Sequence, residues 1–168
     1  MRRALLSFKC NIDDDIETFL QEKAIPFVDK KICSVYLILD QEKFRNRRIE
    51  IEGYFTLSLS AVVFSNETSK SSIQRITGYR DRIAHEFILL GQIGKYISGD
   101  IKSNISLGEI LQLAYNVIQE INEYIPCNTA LVECSEAIME KQLYDKQGFK
   151  LFQFDRGLYQ YYKILEYK

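Results

Sequence analysis

Apolar residues at Ile12, Ile16, Phe19, Leu20, Ala24 and Phe27 fall at helical spacing and form one stripe, which predicts an amphipathic helix. Asn11 or Asp13 can cap it, and the run Asp13-Asp14-Asp15 stands where the helix dipole favours negative charge. The run therefore reads as a helix start and not as a metal site. Pro26 is expected to kink or shorten the far end, because proline lacks the N–H that a helix interior uses. The period then changes. Val35-Tyr36-Leu37-Ile38-Leu39 is continuously apolar and predicts a buried strand ended by Asp40, and the charged stretch Gln41 to Arg48 reads as a solvated turn. Ile49 to Phe64 is a long β-rich run in which Gly53 marks a bulge or a close backbone approach. The polar segment Asn66 to His85 predicts a loop with a short helix. Phe87-Ile88-Leu89-Leu90 opens another central strand that leads into Gly91-Gln92-Ile93-Gly94-Lys95.

Ser106 with Glu109 three residues on is a capping box, ahead of the helical period Leu107, Ile110, Leu111, Ala114, Val117, Ile118 and Ile121. Pro126 and Asn128 break the chain, and Ala130-Leu131-Val132 predicts a buried strand. A shorter helix from Glu136 to Gln147 is expected to stop at Gly148, a natural C′ residue. Two closing strands, Phe149 to Phe154 and Tyr159 to Leu165, are joined around Asp155-Arg156-Gly157. Helical and strand segments thus alternate, and the class is α/β: one mixed sheet with helices on both faces. Without a repeat, linker or low-complexity stretch, residues 1–168 read as a single domain.

Composition narrows the chemistry. The 168 residues hold 22 Lys+Arg against 23 Asp+Glu, a formal charge of −1, with 11 Tyr, 10 Phe and no Trp. This balance argues against a protein that covers nucleic acid electrostatically over its whole surface. One histidine, His85, excludes a multi-histidine metal site, and Cys10, Cys33, Cys127 and Cys134 have no zinc-ligand spacing. No metal is expected, and the cysteines read as reduced thiols of a cytoplasmic protein. The N-terminal Met1 to Lys9 begins like a signal peptide, but its apolar part ends too early to be one. Tyr54 to Phe64 is too short to cross a membrane, so no membrane partner is expected.

Three pieces in fixed order carry candidate chemistry: the strand end Gln92-Ile93-Gly94-Lys95, the helix start Leu107-Gly108-Glu109, and Leu143-Tyr144-Asp145-Lys146-Gln147-Gly148-Phe149 before a strand. Unpaired N–H groups at a helix start make an anion site, and glycine lets backbone approach a phosphate. This set resembles the GNAT superfamily of acetyl-CoA-dependent N-acetyltransferases. Asp15 to Leu20, Ser34 to Asp40 and Gly53 to Ser58 extend the likeness to the branch that contains the toxins of toxin–antitoxin pairs. The family's phosphate loop, Q/R-x-x-G-x-G/A, falls on Ser103 to Gly108, where only the final Gly108 is kept. The loop is thus degenerate, and an Asn common in the family is Ala137 here.

The resemblance implies a GNAT-like fold and acetyl-CoA as co-substrate. It implies pantetheine on the amides of Gln92, Ile93 and Gly94, phosphate on Leu107, Gly108 and Glu109, and Tyr144 as the acid that protonates the departing thiolate. Glu133, at a strand end, is a candidate base for the incoming amine, with Glu86 as an alternative. The acceptor amine belongs to a small molecule, a peptide or an aminoacyl-tRNA. Arg75, Arg80 and Arg82 with Lys70 form a modest basic loop, and the last strand offers a homodimer contact. The other reading is a GNAT-fold binding or regulatory protein that has lost the phosphate loop.

Overall fold

A computed structural model describes residues 1–135 and 145–166. A first helix, α1 (Arg2–Leu6), buries Ala4 and Leu5. The predicted amphipathic helix is present as α2 (Asp14–Thr18), a π-helical turn (Phe19–Lys23) and α3 (Ala24–Asp29). Asp13 is its cap, accepting from the N–H groups of Asp15 at 3.0 Å and Ile16 at 3.3 Å. Ile12, placed on the apolar stripe by spacing, is instead 76% exposed. Pro26 does not end the helix. It falls in the first turn of α3, directly after the π turn, where a missing N–H costs least.

The strands are β1 (Ser34–Leu39), β2 (Ile51–Val63), β3 (Ala84–Lys95), β6 (Thr129–Cys134), β7 (Lys150–Asp155) and β8 (Leu158–Ile164), in the sheet order β1-β2-β3-β6-β8-β7. A separate hairpin of β4 (Ile97–Ser98) and β5 (Ile101–Lys102) has no counterpart in the elements that the sequence pattern predicts. The remaining helices are α4 (Gln41–Arg45), α5 (Lys70–Thr77) and α6 (Leu107–Asn122). The sheet is mixed, with β3 and β6 parallel and β1–β2, β6–β8 and β7–β8 antiparallel. This is the α/β architecture expected. The stretch from Gln41 is not a turn throughout. Asp40 Oδ1 accepts the Lys43 N–H at 2.9 Å and starts α4. Of the predicted helix Glu136 to Gln147, only a turn at Asp145–Gln147 lies within the described residues, and Gly148 follows it with φ 74°, as a C′ glycine requires. Arg156 and Gly157 both take positive φ, 50° and 83°, which matches the two-residue turn between β7 and β8 to their twist. Among the described residues no helix is long and apolar enough to cross a membrane.

Two compact units divide the chain. One comprises Met1–Ser58 and Gly91–Ala114, and the other the remaining described residues. The first is built around Tyr54, fully buried, whose ring stacks on Phe19 at 6.1 Å and meets the edge of Phe8 at 5.5 Å. Its hydroxyl donates to Ile16 O at 2.7 Å, so the one polar atom of this aromatic cluster is satisfied. Burial pushes the Tyr54 phenol well above its ordinary pKa. In the second unit Phe87 stacks on Phe152 at 5.7 Å, and Phe64 and Tyr162 meet Phe152 edge-on. Ile73 and Ile76 of α5 belong to the same cluster.

Candidate functional site

In the first unit, close packing decides the shape of the β3 end. A Cβ on Gly53 would stand 2.9 Å from Gly94 O. A Cβ on Gly94 would stand 2.2 Å from Tyr54 Cε1. Gly53 is thus the close-approach point that the sequence suggested, and it lies where the β1–β2 register slips between Ile38 and Leu39. Gly94 has a packing role that the sequence did not reveal: it is where the backbone meets the Tyr54 ring.

The neighbouring Gln92 has its backbone amide engaged within the fold. Its backbone N–H donates to Thr56 Oγ1 at 2.9 Å, so that amide is already used. What Gln92 offers is its side-chain oxygen, Oε1, which is buried without a hydrogen-bond partner among the described residues. A buried orphan acceptor is uncommon and marks a place where a donor is wanted. The parallel ladder of β3 with β6 is confined to Ile88↔Ala130 and Leu89↔Leu131, while β3 itself runs on through Ile93 and Gly94 to Lys95.

The start of α6 carries the capping box that the spacing predicted. Glu109 Oε2 accepts from both the N–H and the Oγ of Ser106 at 2.7 Å, and the Glu109 N–H donates to Ser106 Oγ at 3.2 Å. Of the amides at this helix start, the box consumes that of Glu109. Among the described residues, no hydrogen bond uses those of Leu107 and Gly108. The Glu109 carboxylate is held below its ordinary pKa, chiefly by the Ser106 N–H, so it is ionised at neutral pH. Glu109 therefore faces its own helix start as a capping anion. The β4–β5 hairpin and the segment after it border a cleft of about 570 Å³, together with α1 and the residues flanking α4. Its walls include Phe8, Asp40, Glu50, Tyr96, Lys102 and Ser103, and nothing in the sequence announced it.

In the second unit, Glu133 is the end of a buried side-chain ladder. The registers Glu133↔Gln160 and Gln153↔Gln160 bring three polar side chains level across β6, β8 and β7. Gln160 Nε2 donates to Glu133 Oε1, and Gln153 Nε2 donates to Gln160 Oε1 at 2.6 Å. Gln153 Oε1 accepts from the Ser65 N–H at 3.0 Å and from Thr68 Oγ1 at 2.7 Å. Gln153 and Gln160 are 6% and 4% exposed, so the ladder is dry and fixes one oxygen of Glu133. Sequence reasoning missed it; the signal was a Gln at the centre of each apolar closing strand.

Other candidates separate. His85 meets Phe87 edge-on at 5.0 Å, and burial holds its imidazole below the ordinary value. Glu86 is exposed, and its backbone oxygen faces Cys127 Sγ. All four thiols are free, and burial raises each of them, Cys134 to about 11. Burial thus works against the thiolate form of each. Lys163 donates to Gln147 O at 2.7 Å and lies 4.5 Å over the Tyr115 ring, with its ammonium pKa lowered by burial. It ties the turn at Asp145–Gln147 to β8. Tyr144 and Ala137 lie outside the described residues.

No family model matches the sequence, and no curated protein matches it. Solved structures do. The fold is that of GNAT-type bacterial toxins. One crystal structure of a bacterial toxin superposes with a TM-score of 0.69 at 14% identity, covering 96% of this chain and 83% of the other. The toxin AtaT complexed with acetyl-methionyl-tRNAfMet gives 0.66 at 20% identity, covering 94% and 85%. AtaTR bound with acetyl-CoA gives 0.64 at 20% identity, covering 93% and 84%. At these identities the likeness is one of fold.

Proposed function

We propose that residues 1–168 form a GNAT-type N-acetyltransferase domain, which moves an acetyl group from acetyl-CoA directly to a primary amine. One observation carries the reading. A strand that outruns its parallel partner is followed by a 16-residue helix whose first two amides donate to no partner among the described residues, within a fold shared with acetyl-CoA-bound AtaTR. Acetyl-CoA fits the residues present. Gln92 Oε1, an orphan acceptor, suits an amide N–H of pantetheine, and the Leu107 and Gly108 amides suit a phosphate oxygen at the positive end of α6. When bound, acetyl-CoA supplies a thioester carbonyl open to attack by an amine.

The chain's own residues then have distinct tasks. Ile93 and Gly94 amides orient the extended arm. Glu133, with one oxygen fixed by Gln160, keeps the other to accept a proton from the acceptor ammonium, leaving a neutral amine. Tyr144 donates its phenolic proton to the leaving thiolate, so charge does not build on sulfur. The acceptor is an aminoacyl-tRNA of the kind seen acetylated beside AtaT, in preference to a small molecule or peptide, and the protein acts in the cytoplasm.

Acetyl-CoA at about 100 times its Kd should stabilise the fold by about 2.7 kcal/mol. Tyr144→Phe should lower turnover while leaving acetyl-CoA affinity in place. Absence of any thermal shift refutes the enzyme reading, and unchanged turnover removes Tyr144 from the chemistry. The observation favouring a non-catalytic relative is the Glu109 carboxylate at the α6 start, an anion where the family binds another anion.

A further inference from the structure

We propose that α4 and the turn after it form a nucleic-acid contact that grips the phosphate backbone of an RNA. The proposal rests on the aminoacyl-tRNA reading above for the identity of that RNA. Phe44-Arg45-Asn46-Arg47-Arg48 contains three guanidinium groups, one aromatic ring and no acid, and every residue from 41 to 50 is exposed. Of the nearby acids, Asp40 and Glu50 are paired with a fourth cation, and Glu42 stands one turn before the arginines. Lys43 Nζ pairs with Glu50 and, at 3.6 Å, with Asp40. Among the described residues, no ion pair engages Arg45, Arg47 or Arg48.

The backbone that bears them is ordered by its own hydrogen bonds. Arg47 N–H donates to Phe44 O and Arg48 N–H to Lys43 O, both at 2.9 Å, and Asn46 Nδ2 donates to Glu42 O at 3.1 Å. Arg47 takes φ 61°, a left-handed conformation that glycine or asparagine would adopt more cheaply. A cation in the last turn complements a helix dipole, but a single-turn helix accounts for one such charge, not three.

The residue types specify phosphate. Guanidinium forks bind phosphate oxygens two at a time, and Phe44, 55% exposed among them, is a face on which a base can stack. In the basic loop singled out in the sequence, two of the arginines are already engaged by neighbouring side chains. Arg80 Nε is committed to Gln74 at 3.0 Å, Arg82 lies over Tyr79, and Asp81 and Glu67 stand among the cations. With a net charge of −1, any grip on RNA has to come from a local cluster of this kind.

The test is binding of unfractionated tRNA, read by fluorescence anisotropy across a salt series. A triple variant, Arg45→Gln, Arg47→Asn and Arg48→Gln, is compared with wild type; Asn suits the left-handed position. Loss of three phosphate contacts should weaken binding about 100-fold near 0.15 M salt and reduce the log–log salt slope by about 2.7. Phe44→Ala should weaken it about tenfold. Unchanged affinity and slope in the triple variant overturns the proposal, as does a wild type that binds no tRNA. Wild type binding poly-glutamate as tightly as tRNA also overturns it, in favour of an acidic protein partner. Acetyl-CoA binding and melting temperature are read on the same variants. An intact RNA grip without acetyl transfer refutes the enzyme reading alone, and acetyl transfer to a small amine without an RNA grip refutes this one alone.

Discussion

Adding a single methyl group at residue 94 tests whether packing, and not a ligand, demands glycine there. In Gly94→Ala the new Cβ would lie 2.2 Å from Tyr54 Cε1, 2.7 Å from Tyr54 Cδ1 and 2.8 Å from Ile16 Cγ2. Favourable carbon contacts begin at about 3.5 Å, so the overlap exceeds an ångström. The ring cannot swing aside, because it is fully buried, stacked on Phe19, met by the edge of Phe8 and tied to Ile16 O. Overpacking of this kind costs about 1–3 kcal/mol, and a ring pinned on every side puts this case near 3. For a protein of this size that is about 6–12 °C in Tm. Thermal melts followed by circular dichroism measure it. A cycle with Tyr54→Leu, which vacates the space, should show that the two changes couple by more than about 1 kcal/mol. A Gly94→Ala protein melting within about 2 °C of wild type refutes the argument, and so does simple additivity in the cycle.

Three further outcomes are expected. Glu109→Gln removes the anion beside the Leu107 and Gly108 amides and should tighten acetyl-CoA binding by about two- to fivefold in calorimetry; weaker binding would show that the carboxylate assists the ligand. Gln153→Leu strips partners from Ser65, Thr68, Val63 and Gln160 together, and should cost about 2–3 kcal/mol in urea unfolding against about 1 for Thr68→Val; equal costs would show that the ladder is not a unit. The Lys9 ammonium, 2.7 Å away, and the Cys10 N–H hold the Glu17 carboxyl below its ordinary value. Its contribution is therefore complete above the unfolded-state pKa of about 4.3 and is lost as pH falls through the lower folded value. Glu17→Gln should flatten that part of the acid limb in unfolding experiments from pH 7 to 3, and an unchanged limb would deny the linkage.

Local chemistry makes several features legible in the chain itself. The Asp13 cap, the Ser106–Glu109 box, the glycine at 148 and the closing hairpin each depend on a few neighbouring residues whose hydrogen bonds or φ angles are set by side-chain type. The α/β class follows from the change of hydrophobic period, since a period of two or of 3.6 admits only one kind of element. The α4 helix passes for a turn in the sequence because one turn of helix is too short for periodicity, and its cap is the only signal. Pro26 reads as a kink in the sequence because its place in the first turn of α3, after a π turn, is visible only in the fold.

Other features belong to tertiary structure from the outset. That the Gln92 amide is spent on Thr56, 36 positions earlier, is a property of strand pairing across β2 and β3. The same holds for Gly94 against Tyr54 and for the level that Glu133, Gln160 and Gln153 share across three strands. Sequence by itself determined the longer helices and strands, though not α4 or the β4–β5 hairpin, and where the α6 start lies. Only the fold decided which backbone amides are taken and which carboxylate is held in place, because hydrogen-bond donors and acceptors far apart in sequence meet only when the sheet register brings them level.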